Sequence, residues 1–191
     1  LSTVVLMVVV LQAMLGMWTV TWLLKPIVVT GHLLGGLTTF ALLTWLAFAS
    51  TPDRALVNAE APKLRRLLWI GLLLLALQIF LGGWTSSNYA ALACGAEFPK
   101  CLGEWLPAHD FREAFVLWRG IGANYEGGVL DTAARSAIQL THRIGALLTF
   151  LAVGLAALAT SSSWWPAGEE ATGLVVVSTD QGTFCGRLLD S

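Results

Sequence analysis

Four stretches of the chain run almost without charge, and polar segments of unequal length separate them. The first, residues 3–24, reads TVVLMVVVLQAMLGMWTVTWLL. It is long enough to cross a hydrocarbon layer about 30 Å thick as a helix. It lacks the basic start and small-residue cleavage site of a signal peptide, and it exceeds the usual length of a signal-peptide core. Lys25-Pro26 ends it. The second run, residues 27–49, is uncharged apart from His32. The third covers residues 67–84, and the fourth residues 137–160, with His142 and Arg143 near its start. In lipid a spanning segment has to pair its backbone polar groups internally, so each run is predicted to be a transmembrane helix. The expected fold class is all-α: an integral membrane helical bundle of four transmembrane helices with a long external loop.

The polar segments set the orientation. Residues 51–66, TPDRALVNAEAPKLRR, carry Arg54, Lys63, Arg65 and Arg66, and short basic loops stay on the cytoplasmic side. The Lys25-Pro26 turn and the long segment 85–136 then lie outside. The expected organisation is a hairpin over residues 1–49, a basic cytoplasmic loop over 50–66, and a second hairpin over 67–160. That second hairpin carries the external loop 85–136, and a divergent tail follows at 161–191. Within the tail, GLVVVST has the short, β-branched character of a strand. Composition agrees with a membrane class: 56% of residues are hydrophobic and 12% charged. The formal net charge of −1 gives no attraction to nucleic acid.

Two segments repeat. Residues 11–19 read LQAMLGMWT and residues 77–85 read LQIFLGGWT, agreeing at Leu, Gln, Leu, Gly, Trp and Thr. Each precedes a helix that carries a histidine, His32 in one case and His142 in the other. Sites in membrane proteins often form between repeated units. The plainer reading is a packing motif with an aromatic anchor at the interface.

Few residues are suited to chemistry. His32 sits in TGHLLGGLTTF, inside a membrane run and among small residues that leave room for a flat ligand or a close helix. An ionisable residue at that depth is a functional candidate, or else a hydrogen bond across a helix interface. His142 sits in AIQLTHRIGALLTF, with Gln139 on the same helix face. Arg143 is placed to reach an interfacial anion such as a propionate or lipid phosphate, or to snorkel to headgroups. Neutral imidazole is a good axial ligand for haem iron, and bundles hold cofactors from facing helices.

Cys94 and Cys101, in ALACGAEFPKC, read as a disulfide, a redox-active dithiol or half a metal site. Their external position favours the disulfide. A zinc site needs more Cys or His in tight spacing, and only His109 is near. His109 itself reads as a surface histidine. Asp110, Glu113, Glu126 and Asp131 share its loop without an evident pairing. Cys185 has no obvious partner. No P-loop, dinucleotide-binding or HExxH pattern occurs.

Taken together, LGMWTVTWLLKPIVVTGHLLGG, QIFLGGWTSSNYAALACGAEFPKC, IGANYEGG and THRIGALLTF resemble the haem A synthase family, across roughly residues 8–158. The resemblance implies an eight-helix membrane enzyme of two four-helix halves, each offering two histidines to haem iron. It implies an oxidoreductase of cytochrome oxidase assembly that converts haem O to haem A, oxidising a ring methyl to a formyl group through hydroxylated intermediates. One half holds the haem O substrate and the other a haem b cofactor. His32 matches the second ligand of the N-terminal half, and His142 the first ligand of the C-terminal half. Cys94 and Cys101 match that half's external cysteine pair, and no catalytic residue beyond the haem ligands is assigned. The implied partners are haem O, haem b, the lipid bilayer, a haem O synthase and an electron donor. The implied location is the cell's inner membrane, with the cysteine loop on the periplasmic side.

The chain departs from the family pattern at both ends. The family's first two helices, with another histidine and a carboxylate, have no counterpart, and neither have its last two. The chain opens on Leu1 rather than methionine. It therefore reads as the middle of a longer enzyme, expected not to make haem A by itself. A competing reading is a non-enzymatic haem-binding electron carrier of cytochrome b type, using the same two histidines. In a third reading the repeats only pack, and no haem binds.

Overall fold

The computed structural model describes residues 2–50, 62–120, 122–160, 174–179 and 182–187. Five helices lie in this order: α1 (Ser2–Thr21), α2 (Pro26–Ala49), α3 (Pro62–Ser87), α4 (Phe111–Ala114) and α5 (Thr132–Thr160). All but the single-turn α4 are long and apolar enough to cross a membrane. Their outward faces are apolar: Phe40, Trp45 and Phe48 on α2 are each 70% exposed. A helix solvated by lipid is expected to look like this, since hydrocarbon rather than a protein core covers it.

Helices α3 and α5 start earlier than their apolar runs. Residues 62–66, expected in the loop, form the first turn of α3, and Pro62 suits a first helical position because its missing N–H has no helical partner there. The start of α5 at Thr132 is capped by Asp131, whose Oδ1 accepts from the Ala134 N–H at 2.8 Å. Asp131→Ala is expected to lower stability by about 0.5–2 kcal/mol. Amide exchange in residues 132–136 measures it, and unchanged protection there would contradict the cap.

Helices α1 and α3 stop in the same way, which is the structural counterpart of the repeat. After α1, Leu24 N bonds Thr19 O at 2.9 Å, Leu23 N bonds Val20 O at 3.1 Å, and Leu23 adopts φ 53°. After α3, Ala90 N bonds Thr85 O at 2.9 Å, Tyr89 N bonds Ser86 O at 3.1 Å, and Tyr89 adopts φ 55°. Both are Schellman endings with a non-glycine residue in the left-handed position, where glycine is usual.

The buried core lies where the segment between α3 and α5 folds over the helix ends. Trp84 is its largest member at 1% exposure, packed with Ala114, Leu130, Ala134 and Ile138. Its Nε1 donates to the Ala114 carbonyl at 2.9 Å. Trp84 is thus a core residue, not an interface anchor. Its repeat partner Trp18 is partly exposed and stacks on Trp22 at 5.3 Å. The acidic residues without evident pairing acquire roles here. Asp110 caps α4 through Arg112 N and Glu113 N, and Glu113 pairs with Arg119.

Residues 1–156 form one compact unit and 157–191 a second. In the second, β1 (Leu174–Thr179) pairs antiparallel with β2 (Gly182–Arg187), with Val176 opposite Cys185. The strand expected in GLVVVST is therefore present, and the all-α description applies to residues 2–160. Arg54, in the loop expected to be cytoplasmic, lies outside the described residues.

Candidate functional site

Both histidines sit in the same local frame. On α1 and α2, Gly16 faces His32: a Cβ at Gly16 would lie 3.2 Å from the imidazole Cε1. On α3 and α5, Gly82 faces His142, with the equivalent distance 3.5 Å. A Cβ at Gly16 would be tighter than an ordinary contact, and one at Gly82 would just touch the ring. Each frame has a second glycine. A Cβ on Gly35 would fall on the Gln12 amide, and one on Gly145 would fall on the Gln78 amide. Helix α2 thus reads His-x-x-Gly against Gln-x-x-x-Gly of α1, and α5 repeats the pattern against α3.

The polar contacts differ between the frames. Gln78 Nε2 lies 2.9 Å from His142 Nδ1 and donates to the His142 carbonyl at 3.1 Å. In the first frame, Gln12 Nε2, Gln12 Oε1 and His32 Nδ1 are buried without a hydrogen-bond partner. Gln78 Oε1 and Gln139 Oε1 are likewise buried and unpaired. Buried polar atoms ordinarily find partners, so such a cluster marks a place where a further group can bind. Among the described residues no hydrogen bond joins His32 to His142, and no three His, Cys, Asp or Glu residues cluster as a metal-binding group. Each histidine is held by its own hairpin.

The hairpins meet through α2 and α3. A Cβ on Gly83, next to the glycine that faces His142, would lie 3.1 Å from Thr30 Cγ2 and from Leu33 Cδ2. Thr30 is fully buried, two residues before His32. Adjacent glycines on one turn of α3 therefore touch both histidine-bearing helices.

The Cys94 and Cys101 sulfur atoms lie 1.97 Å apart, at bonding distance, and both residues are buried. Arg143 reaches this loop. It donates to the Lys100 carbonyl at 3.0 Å and the Glu97 carbonyl at 3.1 Å, and its guanidinium lies 5.6 Å from the Phe98 ring centroid. Arg143 therefore clasps the cysteine loop. His109 is exposed, as expected, beside the Pro107 carbonyl at 2.8 Å and against Phe111. An apolar cavity of about 400 Å³ lies between α3 and α5, lined by residues that include Leu77, Gln78, Trp105, Ile144 and Gly145.

Reading the sequence for chemistry found both histidines and the small residues beside His32 but missed Gln12, Gln78 and Gly145. The signal was a second repeat: HLLGGLTTF at residues 32–40 and HRIGALLTF at 142–150 agree at His, Gly, Leu, Thr and Phe.

Comparison with known proteins places the chain among its relatives. Residues 1–179 match the COX15-CtaA family, described as "Cytochrome oxidase assembly protein". That span runs past the 8–158 segment carrying the resemblance and into the tail expected to be divergent. A protein named "Heme A synthase" from Shewanella oneidensis is 44% identical over 146 residues, which is 76% of this chain and 44% of that relative. The chain therefore spans less than half the length of that curated relative. No solved structure matches. A family match over nearly the whole chain establishes that this protein belongs to the COX15-CtaA family of cytochrome oxidase assembly proteins.

Proposed function

We propose that the chain works in haem A synthesis as a membrane oxidoreductase, binding haem through His32 and His142. The observation that carries this reading is the duplicated frame. Each half-buried imidazole is set against a glycine of the neighbouring helix, and buried polar atoms beside it have no protein partner. Such a frame suits axial ligation, because a neutral imidazole with one nitrogen held by the protein offers the other to a metal. When bound, haem b supplies the redox chemistry, and haem O is the substrate whose ring methyl is oxidised to formyl. The chain's own residues hold and orient. Gly16 and Gly82 admit the imidazole edges, Gln78 fixes the His142 ring, and Arg143 anchors the cysteine loop beside it.

The proposed setting is the inner membrane, with the Cys94–Cys101 disulfide on the periplasmic side where an oxidised pair persists. A haem O synthase would supply the substrate there, and a separate donor the electrons. The test is haem retention. Purified chain is expected to carry haem, and His32→Ala and His142→Ala are each expected to lose haem or change its Soret spectrum. Unchanged haem content in both variants would rule out these ligands. A six-coordinate haem lost in either variant would put both histidines on one haem and favour the electron-carrier reading.

A further inference from the structure

We propose that the disulfide-closed segment 94–106 is seated in the lipid bilayer at the level of the headgroups. There Trp105, Leu106 and the nearby Phe111 roof the cavity between α3 and α5 against hydrocarbon. The partner of this surface is phospholipid. The inference needs the membrane-spanning helices but not haem. It goes beyond the haem reading, which places this segment on one side of the membrane and no closer.

Three observations fix the level. First, the core covers only the start of α5. Ala134, Ala137 and Ile138 belong to the core around Trp84, whereas Ile144, Leu147, Leu148 and Phe150 are exposed. Residues 140–159 are the 20 positions left for lipid, which is about 30 Å of helix and enough to span the hydrocarbon. Second, the segment reaches down to that stretch. Arg143 lies about three turns into α5, and its guanidinium holds the carbonyls of Glu97 and Lys100. Third, Trp105, Leu106 and Phe111 line one cavity with Leu77 of α3 and with Ile144 and Leu148 of α5. Leu148 is about 12 Å along the helix from Leu140, so the cavity extends well into the lipid-covered stretch. The apolar surface of the segment thus continues the lipid-facing surface of two spanning helices.

The segment is built for this level. Its large apolar side chains turn outward, with Phe98 82% and Trp105 70% exposed. A cluster of this kind marks a contact surface, and tryptophan is enriched where lipid meets water. Lipid requires backbone polar groups to pair within the protein, and those at the turn of the segment do so. Cys101 and Glu104 exchange two backbone hydrogen bonds, at 2.8 and 3.1 Å. The Gly103 N–H donates to the Glu97 carboxylate, and Arg143 donates to the Glu97 and Lys100 carbonyls. Lys100 and Glu104 are exposed. Their charges belong among headgroups and water, which sets the depth at the interface and not at the middle of the bilayer.

The test places the full chain, labelled with fluorotryptophan, in nanodiscs of phosphatidylcholine and reads the fluorine resonances. Trp105→Phe assigns the Trp105 signal, and Trp45→Phe assigns a lipid-facing standard on α2. Two broadening agents are compared: a nitroxide near the headgroup end of the lipid acyl chain, and a gadolinium chelate in the water. Trp105 is expected to lose more signal to the lipid nitroxide than to the chelate. Equal or greater loss to the chelate means that the segment stands in water, and overturns the proposal. Loss to neither means that protein covers this surface, and overturns it too. If Trp105→Phe fails to fold, Phe111→Trp adds a resonance on the same cavity wall and is judged in the same way. Haem content does not enter the measurement, so its failure leaves the haem reading standing.

Discussion

Trp84→Ala is expected to lower the stability of the folded chain by about 3–5 kcal/mol, the usual range for removing a large aromatic side chain from a packed core. The residue is 1% exposed and sits at the centre of the core between α3, α5 and the segment joining them. Alanine leaves a cavity among Ala114, Leu130, Ala134 and Ile138, whose backbones are fixed by helix and cap and cannot close around it. It also removes the Nε1 donor from the Ala114 carbonyl. Trp84→Phe separates the two effects. It keeps most of the ring and loses the hydrogen bond, so its expected cost is about 0.5–1.5 kcal/mol plus the volume lost. Unfolding in mixed micelles of increasing denaturing-detergent content measures both. A Phe variant as damaging as the Ala variant would show that the hydrogen bond, not the packing, dominates.

Lys25→Met is expected to release the segment between α3 and α5 from the first hairpin rather than unfold the chain. Lys25 is 2% exposed, donates to the Gly120 carbonyl, and lies 3.6 Å from the Trp118 ring centroid. Methionine matches the stem but not the charge. The loss leaves a neutral carbonyl unpaired, which costs about 1–3 kcal/mol. The cation–π contact adds up to about 2 kcal/mol when desolvated. Relief from keeping a lysine out of water offsets part of this, so a net loss of about 1–3 kcal/mol is expected. The effect should be local, because one further backbone bond ties this segment to the turn, from Tyr125 N to Leu23 O at 3.1 Å. Hydrogen exchange at the Tyr125 amide reads it directly. Wild-type protection there in the Met variant would mean that Lys25 does not hold the segment.

These two residues show how differently local and distant information enters the chain. Lys25-Pro26 is legible as a break because a charge and a proline interrupt an apolar run. That Lys25 is buried under a segment about 95 positions away is not legible, since nothing local encodes that contact. Trp84 stands in a visible repeat, yet its repeat partner Trp18 is partly exposed while Trp84 is buried. The same motif meets different surroundings, because only the second hairpin has a long segment to fold over it. Arg143 is a similar case: the fold brings it to two loop carbonyls more than 40 positions away, which nothing local encodes.

The sequence by itself determined the spans, the helical character of the membrane part and the two histidines, because lipid imposes one rule along the chain: uncharged runs of sufficient length become helices. It also carried the repeat, and with it the expectation of two like units. Tertiary structure decided what each unit does with its polar atoms. Gln12 and Gly35 are 23 positions apart, Gln78 and His142 are 64 apart, and each pair meets only when two helices pack closely. Such contacts depend on the register between helices. That register follows from how small residues let backbones approach, and from where the turn or loop between the helices returns the chain.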